Sequence, residues 1–597
     1  GDMSSVTLTL GAGGSLTVQG NIEGDWTTDQ THTIAVGSRT LTTFSDLELS
    51  KGVANRKIDL TISSGSVSVN GSLHQTGGAN ITFTGNGTLN VGKDYNYSSG
   101  TFTEGSGNVT YNGIDDQLVA NLTYNNLSIE KVFGVASTNA MLTVNGDLTM
   151  GTSGGQLSLG GNLNVGGDVT IGSGATFNSQ SSTVNVGGDW SLSGTFLPGT
   201  GLLNFNGAGA QSVTAVTVND LQIDKAGGTL TLLGDVDVNG SITVQNGIVD
   251  VGTHNVMRTT TGGIATLGAG STARFAGSGL QISNFASLVA SPTSTVEYYG
   301  TSVRPIPPIS FGNLIISNGG SNAKLMVGPT TVQGNLTINA GATLNAPAST
   351  LTVAGSIVSN GTFNTAGSTL ILDGASKTIG GGTITYNNVV VNGSYDVISG
   401  NANFNGHLQV SATGDFDLGS ATVTSDGDLT NSGILRSSGT VTFNGTQVQT
   451  IRLVNAVSST STGVINFNGN VSPVLNSNSS PVFATVNINN TSPVTSSQPW
   501  TVGVAMNVAA SATWNAGPFT HTLTGNFNNS GTVNSSGTLV FLPGTTVNVT
   551  LGNNFVTTGK VTFAGIGQIN LSDNNQTFGT VEILNTHASG ITPATGW

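Results

Sequence analysis

The chain of 597 residues contains no cysteine, few charged side chains and no long apolar run. Without cysteine, neither disulfides nor cysteine-bound metals hold the fold, which suits a chain exposed to changing redox conditions outside a cell. Lys and Arg number only 15 against 29 Asp and Glu, so a nucleic-acid-binding face is not expected. Because no apolar run approaches the ~18 residues that cross a bilayer, we expect no membrane insertion.

Helix-forming patterns are nearly absent, and the 87 glycines lack the every-third spacing of collagen. Short runs alternate apolar and polar residues between Gly and Asn-Gly turns, as in Val184-Asn185-Val186 and Leu336-Thr337-Ile338. This alternation predicts short strands with one buried face. The chain begins at Gly1 rather than Met, so we expect a processed or partial chain whose signal peptide has been removed.

An aromatic residue or Val, followed three and five residues later by aliphatic residues, recurs along the chain, as in Tyr124 to Ile129. The copies of this aromatic box begin at Phe44, Tyr124, Val218, Phe311, Tyr386, Phe483 and Phe578. Their spacings of 75 to 97 residues are too regular for unrelated domains, and they predict stacked repeats. We interpret residues 1–597 as a single continuous solenoid with super-repeats beginning near these seven positions.

A second box, with an aromatic third residue and a final Gly, sets the length of the smallest repeat. Val441 to Gly445 and Ile465 to Gly469 begin 24 residues apart. We therefore predict an all-β, right-handed parallel β-helix of about 26 coils, roughly 22–24 residues each, forming one elongated rod. The corner glycines Gly207 and Gly445 are expected to take positive φ or to face a closely packed neighbour. Five phenylalanines at the third position are predicted to stack inside: Phe205, Phe443, Phe467, Phe541 and Phe563.

One full cycle runs from Ser193 to Phe196 (SGTF), through Leu203 to Gly207 (LNFNG) and Gln211 to Val213, and then to the aromatic box. This cycle resembles the repeat-rich secreted surface proteins of bacteria. More broadly, it is similar to the β-helical shafts of filamentous-haemagglutinin-type adhesins. The resemblance covers nearly the whole chain and implies a right-handed β-helix and an extracellular or cell-surface location. It names no ligand.

Some polar groups have the composition of a catalytic or metal site. Paired carboxylates two residues apart suit calcium or general acid–base chemistry, although the repeated Gly-Asp calcium pattern of β-rolls is missing and solvated outward charge is the alternative. These pairs are Asp235 and Asp237, Asp415 and Asp417, and Asp426 and Asp428. The histidines lack the spacing of metal ligands. They are His32, His74, His254, His407, His521 and His587.

A pectate-lyase-like enzyme is a competing use of a β-helix, and its site resembles an Asp cluster with a nearby Arg or Lys. The best candidate cluster lies within one loop and lacks companions at coil spacing: Lys51, Arg56, Lys57 and Asp59. Thr-x-Thr pairs such as Thr7 and Thr9 suggest an ice-binding face, but no recurrence at coil spacing is visible. We therefore predict no enzymatic activity, no cofactor and no metal.

Both ends of the chain stop inside the repeat and lack the polar capping that solenoids normally have. Joining Trp597 of one copy to Gly1 of the next restores a near-integral number of coils. We therefore expect an extracellular filament or surface fibre, a head-to-tail homopolymer in which Val6, Leu8 and Leu10 stack on Trp597 of another copy. The alternative is the stalk or binding region of a cell-surface adhesin, cut from a longer chain, with surface glycans as its partners.

Overall fold

The computed structural model describes residues 5–11, 14–152, 154–277, 284–317, 323–447, 449–453, 462–477, 480–572 and 576–593. Over these ranges the chain is an all-β parallel β-solenoid of about 26 turns with no α-helix, which confirms the predicted fold class. A turn has about 21 residues, slightly fewer than the 22–24 predicted. The chain divides into two compact units, Gly1–Thr295 and Val296–Trp597. The single continuous solenoid stays a prediction.

In most coils of the first unit, three short strands pair in parallel with the equivalent strands of the next coil. Leu142 aligns with Leu163, and Leu148 aligns with Val169. The strands of three successive coils are Leu142–Val144, Leu148–Met150 and Gln156–Ser158, then Leu163–Val165, Val169–Ile171 and Thr176–Asn178, then Thr183–Val186, Trp190–Leu192 and Thr195–Leu197.

The second unit repeats this arrangement. Ala402 aligns with Val423, and Leu408 aligns with Leu429. Two successive coils have the strands Ala402–Phe404, Leu408–Val410 and Asp415–Asp417, then Thr422–Ser425, Leu429–Asn431 and Ile434–Arg436. Because successive side chains of a strand point to opposite faces, one set lines the interior and the other faces outward. Burial of apolar area at ~25 cal/mol per Å² stabilises a coil only where a neighbouring coil covers it.

The five phenylalanines of the second box are all buried. Phe443 stacks on Phe467 at 5.6 Å between ring centroids, and Phe541 stacks on Phe563 at 5.3 Å. Phe205 instead lies in register between Val186 and Ile223. The aromatic stack is therefore interrupted by aliphatic layers.

The first residue of the aromatic box is not buried in every copy. Phe44, the first aromatic box residue, is 51% exposed, whereas Tyr124 in the next box is buried. Gly207 and Gly445 do not have positive φ. A Cβ at Gly207 would lie 1.9 Å from the carbonyl oxygen of Gly187, and one at Gly445 would lie 3.1 Å from Gln449 Oε1. Close packing, rather than left-handed backbone, therefore accounts for both glycines: Gly207 is approached by the adjacent coil, and Gly445 by Gln449 of its own coil.

His521 is fully buried in the second unit, where its ring packs edge-on against the stacked rings of Trp500 and Trp514. Its Nδ1 accepts a hydrogen bond from the backbone N–H of Trp500 at 3.0 Å, and its Nε2 lies 2.9 Å from the carbonyl oxygen of Ala516. Burial lowers the pKa of His521 to about 4. The ring is therefore neutral at physiological pH, with its proton on Nε2.

Replacement of Phe541 by Ala should cost ~3–5 kcal/mol of local stability, because it leaves a cavity against Phe563. Hydrogen exchange of the strand Thr538–Phe541 should accelerate accordingly. The matched control is Phe44→Ala, where an exposed ring is removed and the cost should stay below ~1 kcal/mol. Unchanged protection in Phe541→Ala would contradict the inward position of this side chain.

Acidification should destabilise the coils around His521. The unfolded chain takes up a proton near the ordinary His pKa of 6.5, whereas the folded chain does so only near pH 4. Stability is therefore fully present above pH 6.5 and falls as the pH drops towards 4, by about 3 kcal/mol in all. Urea unfolding followed by the fluorescence of Trp500 and Trp514 measures this loss. His521→Phe should flatten the pH dependence.

Candidate functional surfaces

Four of the six paired carboxylates identified in the sequence contact donors on the adjacent coil. Asp235 Oδ1 accepts a hydrogen bond from the backbone N–H of Asn255 at 2.9 Å, and Asp428 Oδ1 accepts one from Thr450 at 2.7 Å. Asp415 and Asp417 both face Arg436, at 2.6 and 3.4 Å. The partners of these carboxylates are thus donors on adjacent coils.

The same hydrogen bond forms a ladder along the first unit. The Oδ1 atoms of Asn126, Asp147, Asp168 and Asp189 each accept the backbone N–H of the equivalent residue in the next coil. The four donor–acceptor distances lie between 2.7 and 2.9 Å. The Asp of each Gly-Asp turn therefore connects neighbouring coils.

The basic side chains of the cluster considered as an enzyme site are paired with carboxylates or with a backbone carbonyl group. Lys51 pairs with Glu23 at 3.0 Å and with Asp25 at 3.1 Å. Lys57 Nζ donates to the carbonyl oxygen of Gly78 at 2.7 Å, and it lies 3.4 Å from Asp59. Arg56 pairs separately with Asp29.

The histidines do not converge on a common site. His32 packs against Trp26 and His407 contacts Thr430, whereas His254 lies 3.8 Å from Asp235. In the part of the chain that the structure describes, no three His, Asp or Glu residues are arranged to hold a metal ion. The absence of enzymatic activity stays a prediction.

Buried cations form a feature that the sequence interpretation missed. Lys131 and Lys225 are each 1% exposed. Lys131 Nζ donates to the carbonyl oxygens of Gly113 and Asp115 and to Gln117 Oε1, at 2.6–2.8 Å. Burial lowers the pKa of both lysines.

The second buried lysine repeats this arrangement one super-repeat later. Lys225 Nζ donates to the carbonyl oxygen of Gly207 and to Gln211 Oε1. A signal was present in the sequence, because Gly, Gln and Lys occur at the same spacing of four and fourteen residues in both super-repeats. Each lysine supplies donors to corner carbonyl groups that are buried away from water.

The first described coil of the first unit exposes apolar residues. Val6 and Leu8 are 44% and 45% exposed, and Leu10 is partly exposed. Leu8 is in register with Ile34, which is buried. The predicted partner residue Trp597 lies outside the described residues.

A regular polar surface lies on the second unit, where two columns of short polar side chains face outward. The first column aligns in register on successive coils and contains Asn345, Asn364, Thr385, Asn403, Thr424, Thr442, Asn466, Asn487, Asn507, Asn528, Thr550 and Ser572. The second lies two residues earlier in each coil and contains Thr343, Thr362, Thr383, Asn401, Thr422, Thr440, Val464, Thr485, Ala505, Asn526, Asn548 and Asn570. We call these 24 positions the Thr/Asn array.

The positions between the two columns point inward, as Val423, Val486 and Phe527 show by their burial. All twelve residues of the first column and ten of twelve in the second are Thr, Asn or Ser. None is charged or aromatic. The strands that carry the array are Thr343–Asn345, Thr362–Asn364, Ile384–Tyr386, Ala402–Phe404, Thr422–Ser425, Thr440–Phe443, Val464–Phe467, Val482–Ile488, Thr501–Val508, Asn526–Asn529, Val547–Thr550 and Ile569–Ser572.

Side chains of the array hold one another in place. Asn466 Nδ2 donates to Thr442 Oγ1 at 3.2 Å, and Asn487 Nδ2 donates to Asn466 Oδ1 at 2.8 Å. Asn507 Nδ2 continues the ladder to Asn487 Oδ1 at 2.7 Å. These bonds fix the outward amides in one orientation at the coil spacing.

At Thr7 and Thr9 the Thr-x-Thr pair does not recur, because the aligned residues are Thr33 and Ala35 and then Asp59 and Thr61. In the second unit it does recur, since Thr422 and Thr424 align with Thr440 and Thr442 on the next coil. The recurrence escaped detection because the coils differ in length, so equivalent residues are not separated by a fixed number.

Replacement of Asp168 separates the ladder function from metal binding. Asp168→Asn keeps an oxygen that accepts the backbone N–H of Asp189 and should change stability by less than ~0.5 kcal/mol. Asp168→Leu removes this acceptor and should cost about 1 kcal/mol. Thermal unfolding with calcium or with a chelator should give the same values. Calcium-dependent stabilisation that disappears in both variants would show that the carboxylate binds metal instead.

No family model, curated protein or solved structure matches this chain. The described residues contain no helix with the length and hydropathy of a membrane span. The function proposed for this chain therefore rests on the surfaces of the solenoid.

Proposed function

We propose that the chain is an extracellular structural protein, a β-solenoid subunit that joins head to tail into a filament or surface fibre. The observation that carries this proposal is the apolar inner row exposed on the first coil. Leu8 is 45% exposed, whereas Ile34, the next residue of its row, is 6% exposed. A further coil stacked on Leu8 would bury it in the same way.

The last coils of the second unit offer a complementary face. Val581 and Ile583 are 37% and 61% exposed, although their register partners Val561 and Phe563 are fully buried. Leu584 beside them is 57% exposed. Each face thus presents inward-type side chains, and stacking one on the other would remove both from water.

The backbone is also suited to this contact. Among the described strands, Thr7–Thr9 pairs only with Gln30–Gly37. A strand with one free edge can add another strand by main-chain hydrogen bonds. Because the two faces differ, the contact is heterologous and extends without closing.

An adhesin stalk is the second candidate, and it rests on the same observation. In a stalk, further coils of a longer chain would cover the two faces, and surface glycans would be the partners. A cysteine-free solenoid held by coil-on-coil hydrogen bonds suits an extracellular location in both cases. The two proposals differ in whether isolated chains polymerise.

Substitution of Val6, Leu8 and Leu10 by Lys should leave a folded solenoid that no longer assembles, because three charges would be buried in the junction. Electron microscopy and sedimentation measure filament formation, and circular dichroism measures folding. The matched control adds the same charge to outward positions at Thr7, Thr9 and Ser15, which should still assemble. Filaments of normal length from the inward variant, or single rods from the unmodified chain, would contradict the junction.

A further inference from the structure

We propose that the Thr/Asn array of the second unit is an ice-binding surface. The inference goes beyond head-to-tail assembly, because the array lies on the side of the coils and not on the terminal faces. Its occupant would be the ordered water at the surface of an ice crystal. Composition, spacing and rigidity support this proposal independently.

The composition of the Thr/Asn array excludes charged ligands and disfavours sugars as ligands. The 24 positions contain no Lys, Arg, Asp or Glu and no aromatic side chain, and every aromatic at an intervening position, such as Phe363 and Phe527, is buried. A charged ligand would find no opposite charge here. Sugar rings would find no aromatic platform of the kind that bases and other planar ligands stack on. What remains is a dense set of hydroxyl and amide groups, which hydrogen-bond to water.

Spacing gives the array two fixed periods. Equivalent residues on successive coils, such as Thr424 and Thr442, are separated by the strand spacing of about 4.8 Å. Residues two apart on one strand, such as Thr422 and Thr424, are separated by about 6.6 Å. Ice presents oxygen atoms at repeats of this order in two directions, so neighbouring side chains can hold waters that already belong to one lattice.

Rigidity makes this match effective. Threonine is stiff at χ1 because it is β-branched, and the amides of Asn466, Asn487 and Asn507 are held by their mutual hydrogen bonds. Side chains that are fixed before binding lose little entropy when an ordered layer forms on them. Long side chains such as Lys or Gln, which would lose more, do not occur in the array.

A neighbouring outward column of the same unit shows that this composition is not required for folding. It contains Thr331, Thr352, Ile371, Val390, Gln409, Thr430 and Arg452. Apolar, long polar and charged side chains are all accommodated there on the same coils. The uniformity of the Thr/Asn array therefore calls for a cause other than stability.

The test uses the full chain and measures thermal hysteresis and inhibition of ice recrystallisation. The unmodified chain should show both, with hysteresis that rises with protein concentration. Thr424→Lys combined with Thr442→Lys places two charges on adjacent coils in the centre of the array and should abolish most of the activity. The matched control, Thr331→Lys with Thr352→Lys, places the same charges on adjacent coils of the neighbouring column and should keep it.

Circular dichroism and thermal unfolding establish that both double variants are folded, and electron microscopy shows whether each still assembles. If the chain fails to assemble but keeps its ice activity, the filament proposal is contradicted and the ice-binding proposal stands. The inference is overturned if the unmodified chain shows neither activity, or if both double variants lose activity equally. It is also overturned if the array variant instead loses retention on an insoluble neutral polysaccharide while ice growth is never affected.

Discussion

Parallel, in-register pairing of each coil with the next is the constraint on which the rest of this structure depends. It places every residue beside its own equivalent, at the strand spacing of about 4.8 Å. Inward positions are then mostly apolar, as the row of Leu127, Leu148 and Val169 shows. Outward positions become columns of repeated chemistry. The hydrogen bonds of Asp147 and Asp168 to the following coil arise from the same alignment.

Pairing in register also explains why so few charges are needed and where they lie. Carbonyl groups at the corners turn away from the ladder and would be left without partners inside the coil. Lys131 supplies three donors to such a corner, and Gln117 beside it donates to the carbonyl oxygen of Val91. A buried ammonium is costly unless it is fully hydrogen-bonded. The cost is offset here because the acceptors are fixed by the stacked backbone.

The fold was predictable from the sequence because in-register pairing of coils leaves a repeated pattern of aromatic, aliphatic and Gly residues. The chemistry of the outer surfaces was not predictable. Two boxes ending in aliphatic residues or Gly predicted strands, coils and the buried Phe541 and Phe563. Register could not be predicted, since the step between aligned residues ranges from 26 for Leu8 and Ile34 to 18 for Leu203 and Leu221. Columns therefore do not appear at a fixed period, and the Thr/Asn array was missed. The buried lysines were missed although Gly, Gln and Lys occur at the same spacing in two super-repeats.

The two proposed surfaces consist of the inward and the outward side chains of the same stacked strands. Exposed inner rows at the terminal coils favour contact with another coil, because that contact extends the pairing already present. The outer columns are not constrained by the core, since outward side chains of a solenoid strand need only be compatible with water and with the neighbouring strand. Charged residues there would oppose lateral aggregation. A column that keeps to Thr, Asn and Ser over twelve coils lacks this protection, so its regularity is best explained by what it contacts.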